Sequence, residues 1–518
     1  LTGIGFVPES KRFYPNLETA AHVIGFTGRD PNGLEGLELK YDGTILGKTG
    51  YMVTERDALG RNIAIRNAVI KNSSPGKNIV LTLDKTIQFI AEKELAKAVT
   101  ESRANSGMAL VMEADTGKVL AMANYPTFNP NAYSRYSLAQ LRNRVVVDSF
   151  EPGSTFKVFT IAAALDAGVI RANDVYNCEN GTYRIADRVI HDDHPQSRLT
   201  VSEIIKYSSN IGSAKIGLKM GEERLSSYLR SFGFGGRTGI DLPGESPGNI
   251  KRHWYGVDLA TISFGQGLSL SAIQLVSAVS AIANGGNLMR PYLVERIIDD
   301  SGKEVQKFEP QIVRRVISTE TARKISMMME TVTGEGGTGT KAAVDGFRVA
   351  GKTGTAQKVD SVTRTYSPTR RIGSFVGFVP ADNPKLTIAV IIDEPQGIKY
   401  GGVVAAPAFR GIAQNSLAYL KIQPNQQTKN TLKPIQAAAS PTRIIEAERE
   451  GDAQEIPDEV SVMPNFQGMS MRRVMLVMEK RNINIRLMGS GRASQQNPPP
   501  GKKIRGTDEV WIKFSPSA

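Results

Sequence analysis

The chain has 518 residues, of which 40% are hydrophobic and 22% charged, a composition typical of globular proteins; a length in this range suggests about two to four domains. Its 64 lysines and arginines exceed its 51 acidic residues, which favours anionic partners, but no basic run interleaved with aromatic residues and no zinc-finger spacing occurs, so we expect no nucleic-acid binding. The single cysteine, Cys178, excludes an intrachain disulfide, and we expect it to be structural rather than reactive.

The sequence contains no recognisable targeting or membrane-spanning segment. No signal-peptide core follows Leu1, and no run of about 20 apolar residues, the length that crosses a bilayer, occurs anywhere. Either the protein is soluble or an upstream membrane anchor is missing, and we interpret the chain as a fragment. Residues 1–76 are rich in Gly, Pro and Asn, and short apolar alternations such as that at 21–26 predict a small β-rich module or an extended pedestal without a large core of its own.

The segments that follow predict one large α+β domain. Asp84 is a good N-cap for a helix whose apolar face is formed by Ile87, Ile90, Ala91, Leu95 and Ala98. Two β-hairpins are predicted, one at 108–122 and one at 374–392. Helices are predicted between and after these hairpins, at 154–168, 201–219, 270–284, 318–333 and about 407–420. The strands lie near both ends of this domain, with helices between them. This order predicts a single sheet that combines strands from the N-terminal and C-terminal parts of the domain.

The last hundred residues change in character. Gln, Lys, Asn, Pro, Ala and Glu dominate residues 423–456, and large apolar residues are scarce there, which predicts a linker. Periodicity returns at 457–518, with a helix predicted at about 470–481 and strands at 483–487 and 509–514. This small α/β appendage contains no catalytic constellation.

Ser154 and Lys157 form the strongest local signal for chemistry. They follow Pro152 and Gly153 and open the apolar helical segment 158–165, so we expect Ser154 in the first turn of a helix. Residues three apart share a helix face, which brings the serine hydroxyl and the lysine amine within reach of each other. A helix N-terminus stabilises an alkoxide, and a desolvated amine of lowered pKa accepts the hydroxyl proton. The alternative is a capping serine beside a solvated lysine.

Two further segments supply the other groups that an acyl-transfer site needs. Ser208 and Asn210, in the predicted helix 201–219, offer a hydroxyl for proton relay and an amide that orients a substrate. Segment 348–356 predicts a strand of small residues, along whose exposed edge a substrate backbone can pair. Each segment also has a purely structural explanation, as a helix surface or as an ordinary edge strand.

Within this strand, Lys352 offers a second cation, which suits a substrate carboxylate and lowers the pKa of neighbouring amines. The hydroxyls of Thr353 and Thr355, on either side of Gly354, suit the same carboxylate. The backbone N–H groups at Ser154 and Thr355 are candidates for the two donors of an oxyanion hole.

Two other motifs suggest chemistry that we do not expect. His191 and His194 flank two aspartates, but a polar loop ahead of the predicted helix explains them better than a metal site does. Segment 334–341 superficially resembles a phosphate loop, yet Lys341 is followed by Ala342 and no strand precedes the segment. We expect a flexible loop there, and neither a metal nor a cofactor in the protein.

The three motifs, S-x-x-K, S-x-N and K-T-G in this order, give the chain its resemblance to the penicillin-binding proteins over about residues 77–422. The resemblance implies a penicillin-recognising α+β fold with an antiparallel sheet. It implies that Ser154 is the acylated nucleophile, that Lys157 is its base, and that Ser208 and Asn210 serve proton relay and substrate alignment. The substrate-binding strand would comprise Lys352, Thr353, Gly354 and Thr355.

Outside this domain, the chain resembles the class B, monofunctional members of the family. Segments 12–15 and 36–47 look like recurring features of their N-terminal pedestal or dimerisation domain, here residues 1–76 and truncated upstream. Residues 463–470 make the tail at 457–518 similar to a PASTA module. This combination is similar to cell-division and sporulation transpeptidases, which implies one N-terminal membrane anchor and a location on the extracytoplasmic face of the membrane.

The activity implied by the resemblance is that of a peptidoglycan D,D-transpeptidase, inhibited by β-lactams and serving septal wall synthesis. The implied partners are stem peptides ending in D-Ala-D-Ala, β-lactams, a membrane-embedded glycan polymerase and division proteins. A D,D-carboxypeptidase or β-lactamase-like hydrolase and an inactive penicillin-binding scaffold or sensor stay open as alternatives. Hydrolysis requires a group that activates water, and the sequence nominates no single glutamate for it.

Overall fold

The computed structural model describes residues 11–48, 50–52, 55–58, 62–63, 70–71, 73–255, 257–360, 363, 365–424, 463–469, 474, 486–489, 492–502 and 510–515. These residues fall into two compact units, which divide between positions 431 and 432. In the described part of the chain, every helix is too short or too polar to cross a bilayer.

The N-terminal segment consists of short elements. Its helices are Ala21–Ile24, Gly36–Lys40 and Asp42–Ile45. Its strands are Tyr51–Met52, which pairs with Ile70–Lys71, and Glu55–Arg56, which pairs with Asn62–Ile63. The β interpretation of 21–26 is wrong for its first four residues, which form one helical turn. Packing decides this conformation, since the ring of the buried His22 lies edge-on against Phe128 with centroids 4.8 Å apart and contacts the carbonyl of Gln140.

A five-stranded antiparallel sheet organises the larger unit, and it confirms both predicted hairpins. In spatial order its strands are Ala350–Val359, Tyr366–Val379, Leu386–Asp393, Ser106–Glu113 and Val119–Tyr125. Strands from the two ends of the domain therefore complete one sheet, as the sequence predicts. The strand Ala350–Val359, hereafter the Lys352 strand, lies at one edge.

Both faces of this sheet are covered by a hydrophobic core. Because a strand has a two-residue period, successive side chains point into opposite cores. In Ser106–Glu113, Met108, Leu110 and Met112 enter one hydrophobic core, whereas Ala109 and Val111 enter another. The second core is completed by the helices Lys85–Glu101 and Ala406–Tyr419. The first core is completed by Lys157–Asp166, Ala272–Ala283, Thr319–Thr333 and the helices around them.

The capping residue predicted for the first long helix is confirmed. The Asp84 side chain accepts from the backbone N–H groups of Thr86 and Ile87 at 2.9 and 3.0 Å. The remaining α-helices of this unit are Leu138–Leu141, Arg144–Val147, Val201–Tyr207, Asn210–Met220, Glu222–Ser231, Asp258–Ile262 and Gly401–Val404. The 3-10 turns are Pro130–Arg135, Gly153–Phe156, Glu179–Gly181 and Thr340–Ala342.

Smaller sheets surround the helices. One is three-stranded and consists of Asn78–Leu81, Val294–Ile298 and Glu304–Lys307. The two-stranded pairs are Val175–Asn177 with Arg198–Thr200, Thr182–Ile185 with Arg188–His191, and Asn287–Met289 with Ile312–Arg315.

The C-terminal unit has a three-stranded sheet. Its strand Trp511–Ser515 lies between Arg486–Gly489, to which it is parallel, and Arg492–Asn497, to which it is antiparallel. Its core contains Met463, Phe466, Val474, Ala493, Val510, Ile512 and Phe514. The predicted last strand is confirmed. The predicted helix at 470–481, apart from Val474, and the predicted linker, apart from its first two residues, lie outside the described residues.

Candidate active site

Ser154 lies in the 3-10 turn Gly153–Phe156, which runs directly into the helix Lys157–Asp166. Gly153 has a φ of 54°, and a β-carbon on it would lie 3.0 Å from the carbonyl oxygen of Thr355. Glycine at this position therefore lets the serine turn approach the Lys352 strand. The half-buried Ser154 hydroxyl accepts a hydrogen bond from Lys157 Nζ at 2.8 Å, so the pairing predicted from their spacing is confirmed.

Lys157 is fully buried, with 0% of its surface exposed. Its Nζ also donates to the carbonyl oxygen of Ser208 at 2.5 Å and lies 3.0 Å from Ser208 Oγ. Burial lowers the pKa of Lys157 to about 7, and the negative charges of Asp192 and Asp193 oppose part of that shift. A substantial fraction of this amine is therefore neutral at physiological pH and able to accept a proton.

The S-x-N motif lies at a break between two helices, and the prediction of one continuous helix at 201–219 is wrong. Val201–Tyr207 ends at Ser208, whose φ of 63° and ψ of 40° are left-handed. Ser209 then caps the next helix, Asn210–Met220, by accepting from the N–H of Gly212 at 2.9 Å. Serine competes with the helix through such bonds, which explains why the chain can break there. The left-handed turn places both the carbonyl and the hydroxyl of Ser208 beside Lys157.

Asp192 holds this break together, a role that the sequence analysis missed. Its buried carboxylate accepts from Ser209 Oγ at 2.6 Å, from the backbone N–H of Asn210, and from that of Ile211 at 3.0 Å. A carboxylate at a helix N-terminus is favourable because the helix dipole and the free N–H groups both stabilise it. The only sequence signal was the acidic pair between His191 and His194, which suggested no more than a polar loop.

Asn210 occupies the first position of its helix and lines the cleft described below. Its side-chain Nδ2 donates to the carbonyl oxygen of His191 at 2.7 Å, which orients the amide. This bond uses the amide nitrogen and leaves the acceptor capacity of the amide oxygen to other partners.

The Lys352 strand brings the second amine to the same place. Lys352 is fully buried, and its Nζ donates to Ser208 Oγ at 2.9 Å and to the carbonyl oxygen of Thr353 at 3.1 Å. Burial lowers the pKa of Lys352 well below its usual value, and the positive charge of Lys157 lowers it further. The Thr353 hydroxyl contacts Thr338 Oγ1 at 2.9 Å. The Thr355 hydroxyl accepts a hydrogen bond from the N–H of Gly401 at 3.2 Å.

Gly354 is where this strand meets the serine turn. A β-carbon on it would lie 2.4 Å from Ser374 Oγ, 2.8 Å from Thr155 Cγ2 and 3.0 Å from the carbonyl oxygen of Pro152. The absence of a side chain therefore lets the strand lie directly against the nucleophile turn.

An open cleft of about 840 Å³ lies in front of these residues. Ser154, Asn210 and Thr355 line it, together with Gly267, Gln357 and Tyr366 from surrounding segments. The two buried lysines reach the Ser154 hydroxyl and its neighbour Ser208 from the protein interior. A hydroxyl hydrogen-bonded to a partly neutral amine, next to a second hydroxyl and a second amine, suits nucleophilic acyl transfer.

The structure also places the remaining motifs of the sequence. Within the described ranges, no three His, Cys, Asp or Glu side chains form a group suited to a metal ion. Cys178 is buried 3.5 Å from Ser209 Oγ, and burial raises the pKa of its thiol, which confirms a structural cysteine. Segment 334–341 connects Thr319–Thr333 to the 3-10 turn Thr340–Ala342, and its Thr338 contacts Thr353.

Family models match three parts of this chain. The penicillin-binding protein transpeptidase domain matches residues 107–414, the penicillin-binding protein dimerisation domain matches residues 1–81, and the PASTA domain matches residues 461–516.

Curated relatives are similar over most of the chain. The chain is 40% identical over 442 residues to the probable peptidoglycan D,D-transpeptidase PenA of Neisseria gonorrhoeae, covering 84% of this chain and 72% of PenA. It is 35% identical over 522 residues to the stage V sporulation protein D of Bacillus subtilis, covering 99% of this chain and 77% of that protein.

Solved structures share the fold. Penicillin-binding protein 3 of Mycobacterium tuberculosis superposes with a TM-score of 0.72 at 31% identity, covering 80% of this chain and 92% of that one. The transpeptidase domain of penicillin-binding protein 3 of Burkholderia pseudomallei superposes with a TM-score of 0.59 at 36% identity, covering 67% of this chain and 98% of that one. Since the transpeptidase model alone spans more than half of the chain, the protein belongs to the penicillin-binding protein transpeptidases, and its dimerisation domain and its similarity to PenA and the stage V sporulation protein D place it among their class B members.

Proposed function

We propose that this protein is a peptidoglycan D,D-transpeptidase that cross-links stem peptides through an acyl-enzyme on Ser154. The observation that supports this most directly is the position of Lys157 Nζ, 2.8 Å from Ser154 Oγ and 3.0 Å from Ser208 Oγ, in a fully buried environment. Two relatives support the same activity by their names: the probable peptidoglycan D,D-transpeptidase PenA at 40% identity and the peptidoglycan D,D-transpeptidase FtsI of Escherichia coli at 37% identity.

In the proposed acylation step, the neutral amine of Lys157 accepts the hydroxyl proton while Ser154 Oγ bonds to the carbonyl carbon of the penultimate D-Ala. The backbone N–H groups of Ser154 and Thr355 stabilise the resulting oxyanion. The C–N bond to the terminal D-Ala then breaks. Ser208, which lies between the two lysines, relays a proton to the departing amine.

The Lys352 strand is proposed to bind the donor peptide. The terminal carboxylate of the donor peptide would lie near Lys352 and the hydroxyls of Thr353 and Thr355, beside Gly354. Asn210 would align the substrate amide. An approaching carboxylate raises the pKa of Lys352. When the two lysines together bind one proton, that proton then stays on Lys352, and Lys157 is left neutral as the base. The amine of a second stem peptide then attacks the ester carbonyl, and Ser154 regains its proton from that amine through Lys157.

We also propose the setting in which this activity operates. The protein would act at the extracytoplasmic face of the membrane in septal wall synthesis, with a membrane-embedded glycan polymerase and division proteins as partners. β-Lactams would acylate Ser154, a proposal supported by the aztreonam and ampicillin complexes of the M. tuberculosis protein. No cofactor takes part in the proposed steps.

The proposed domain boundaries are a pedestal at 1–76, a transpeptidase domain at 77–422, a linker at 423–456 and a PASTA domain at 457–518. The strand Asn78–Leu81 supports the first boundary, since it pairs with Val294–Ile298 of the larger domain.

Labelling with a fluorescent penicillin tests the proposal. The wild-type protein is expected to become covalently labelled, with the adduct on the peptide that contains Ser154, and Ser154→Ala is expected to abolish the label. Ser226→Ala is a matched control, because Ser226 lies on another helix and its hydroxyl donates only to the carbonyl of Glu223 among the described residues. An unlabelled wild-type protein would favour an inactive scaffold.

A second measurement separates transfer from hydrolysis. A transpeptidase is expected to hold the penicilloyl group for hours and to join a pentapeptide donor to an added amine acceptor. Rapid loss of the adduct, or release of D-Ala without any joined product, would instead indicate a β-lactamase-like hydrolase or a carboxypeptidase.

A further inference from the structure

Glu151, three residues before the proposed nucleophile, contacts two other segments of the cleft. Tyr366 Oη donates to its carboxylate and lies 3.1 Å from each carboxylate oxygen, and the backbone N–H of Gly267 donates to Oε1 at 3.1 Å. Three segments far apart in sequence, namely the serine turn, the loop at 265–267 and the start of the strand Tyr366–Val379, therefore meet on one side chain.

The backbone around Glu151 is already held on one side. Phe150 exchanges backbone hydrogen bonds with Leu270 at 2.9 and 3.0 Å, and the Gly153 N–H donates to the carbonyl of Gly265 at 3.1 Å. The backbone that precedes Ser154 is thus hydrogen-bonded to the segment 265–270 independently of the Glu151 side chain. The Glu151 side chain adds the connection to Tyr366, on the hairpin that contains the Lys352 strand.

Tyr366 lies near the turn of that hairpin. It pairs with Val359, the last residue of the Lys352 strand, beyond an irregularity in register between Gln357 and Val359. Val359 is four positions after Thr355, which corresponds to about 13 Å of extended strand. The Lys352 strand is therefore held against the serine turn at two points, by close packing at Gly354 and by the Glu151–Tyr366 pair at its end.

The chemistry of the pair indicates more than filling of space. Glu151 is half-buried, and burial raises the pKa of its carboxyl group, while the hydrogen bonds from the Gly267 N–H and the Tyr366 hydroxyl oppose part of that shift. A buried carboxylate costs more to desolvate than an amide of the same shape, but it forms stronger hydrogen bonds to neutral donors. Here those donors are the Tyr366 hydroxyl and the Gly267 N–H.

The two residues of the pair line neighbouring spaces. Gly267, Gln357 and Tyr366 line the catalytic cleft, while Glu151 and Val359 line a neighbouring cavity of about 400 Å³, together with Gly267 and Gln357. Opening the contact would free the end of the strand beside which a ligand must lie.

We propose that Glu151 and Tyr366 form a clasp that holds the Lys352 strand in register with the Ser154 turn, and that both are positioning residues for acylation. This inference rests on the proposed function, because the step that it affects is acyl transfer to Ser154. Neither side chain is assigned a bond to the reacting atoms. The clasp acts by keeping the Thr355 N–H and the Ser154 hydroxyl at a constant separation, and small errors in such a separation have large kinetic costs.

The test uses the whole chain and benzylpenicillin as the acylating probe. Tyr366→Phe removes one oxygen atom, Glu151→Gln removes the charge, and the double variant removes both. Tyr419→Phe is the matched control, since it removes a tyrosine–carboxylate bond of the same length, 3.1 Å to Asp84, and neither residue lines the cleft. Rate constants are expressed per active site after titration, so a loss of folded protein does not alter them.

Each single variant is expected to lower the first-order acylation rate constant by about five- to tenfold. The rate constant of the double variant is expected to be no lower than that of the slower single variant. Tyr419→Phe is expected to match wild type. The clasp is overturned if Tyr366→Phe acylates like Tyr419→Phe, or if the two single effects multiply in the double variant. Tyr366→Phe decides the matter alone if Glu151→Gln does not fold. A wild-type protein that is never acylated would overturn the proposed function itself, and with it any role of the clasp in acylation.

Discussion

Lys157 and Lys352 share one hydroxyl group, with their Nζ atoms 3.0 and 2.9 Å from Ser208 Oγ. Both side chains are fully buried, so two ammonium ions here would repel each other in an environment that also disfavours each charge singly. Burial lowers the pKa of both amines, to about 7 for Lys157 and well below the usual value for Lys352. At neutral pH the pair therefore binds fewer than two protons, which makes a neutral amine available beside Ser154.

The first prediction concerns the pH dependence of acylation. Because the pKa of Lys157 is about 7, raising the pH converts this amine from ammonium to base, and the acylation rate constant should rise with pH and level off above about pH 7. Stopped-flow acylation by a chromogenic β-lactam between pH 5 and 9 measures this profile. A rate that stays constant from pH 5 to 8 would contradict the assignment of Lys157 as the base.

The second prediction concerns Asp192, whose negative charge raises the pKa of Lys157. Asp192→Asn keeps an oxygen that can accept from the N–H groups of Asn210 and Ile211 but removes the charge. The midpoint of the pH profile should therefore move to lower pH. Asp345→Asn is the control, because that exposed carboxylate pairs with Arg410 instead. An unchanged midpoint in Asp192→Asn would show that this carboxylate does not influence the base.

The third prediction separates the two functions of Ser208, its hydroxyl and its left-handed backbone. Ser208→Ala removes the hydroxyl and leaves a β-carbon at a φ of 63°, whereas Ser208→Gly removes the hydroxyl and relieves the strain. Both variants should lose at least about 100-fold in acylation rate. The glycine variant should be more stable than the alanine variant by about 1 kcal/mol in chemical denaturation. Near-normal acylation by Ser208→Gly would mean that only the backbone shape matters.

The fourth prediction tests the contact between the Lys352 strand and the serine turn. A β-carbon at Gly354 would lie 2.4 Å from Ser374 Oγ and 2.8 Å from Thr155 Cγ2, so Gly354→Ala should push the strand away. Overpacking of this kind costs about 1–3 kcal/mol of stability, and acylation should fall with it. Calorimetry and penicillin labelling measure the two effects.

Gly43→Ala is the control for that substitution, because a β-carbon at Gly43 would have no atom within 4 Å and the residue lies in the helix Asp42–Ile45. It should leave acylation unchanged and stability equal or slightly higher. If Gly354→Ala behaved in the same way, the strand and the turn would be less closely packed than the structure indicates.

Local geometry explains which parts of the site could be predicted from the sequence. Ser154 and Lys157 are three residues apart in a helical turn, so their contact follows from helix geometry alone. Both hairpins of the central sheet are also local, since each joins strands separated only by a short turn. The Asp84 cap and the apolar face of Lys85–Glu101 were predictable for the same reason.

Other features were set by contacts that no local pattern contains. The helix predicted at 201–219 is broken because Ser209 and the following N–H groups bond to Asp192, which approaches from a separate loop. Residues 21–24 form a helical turn instead of a strand because His22 packs against Phe128, more than 100 residues later. In both cases tertiary contacts outweighed the local preference of the chain.

The sequence by itself determined the chemical groups of the site, their order and the local turns that present Ser154 and Lys157. Only the tertiary structure decided that Ser208 lies between two amines, since it is 51 residues from Lys157 and 144 from Lys352. It also decided the lowered pKa of both lysines and the contact between Glu151 and Tyr366. The physical reason is that desolvation and close packing depend on everything that surrounds a group in space, whereas a motif records only its neighbours along the chain.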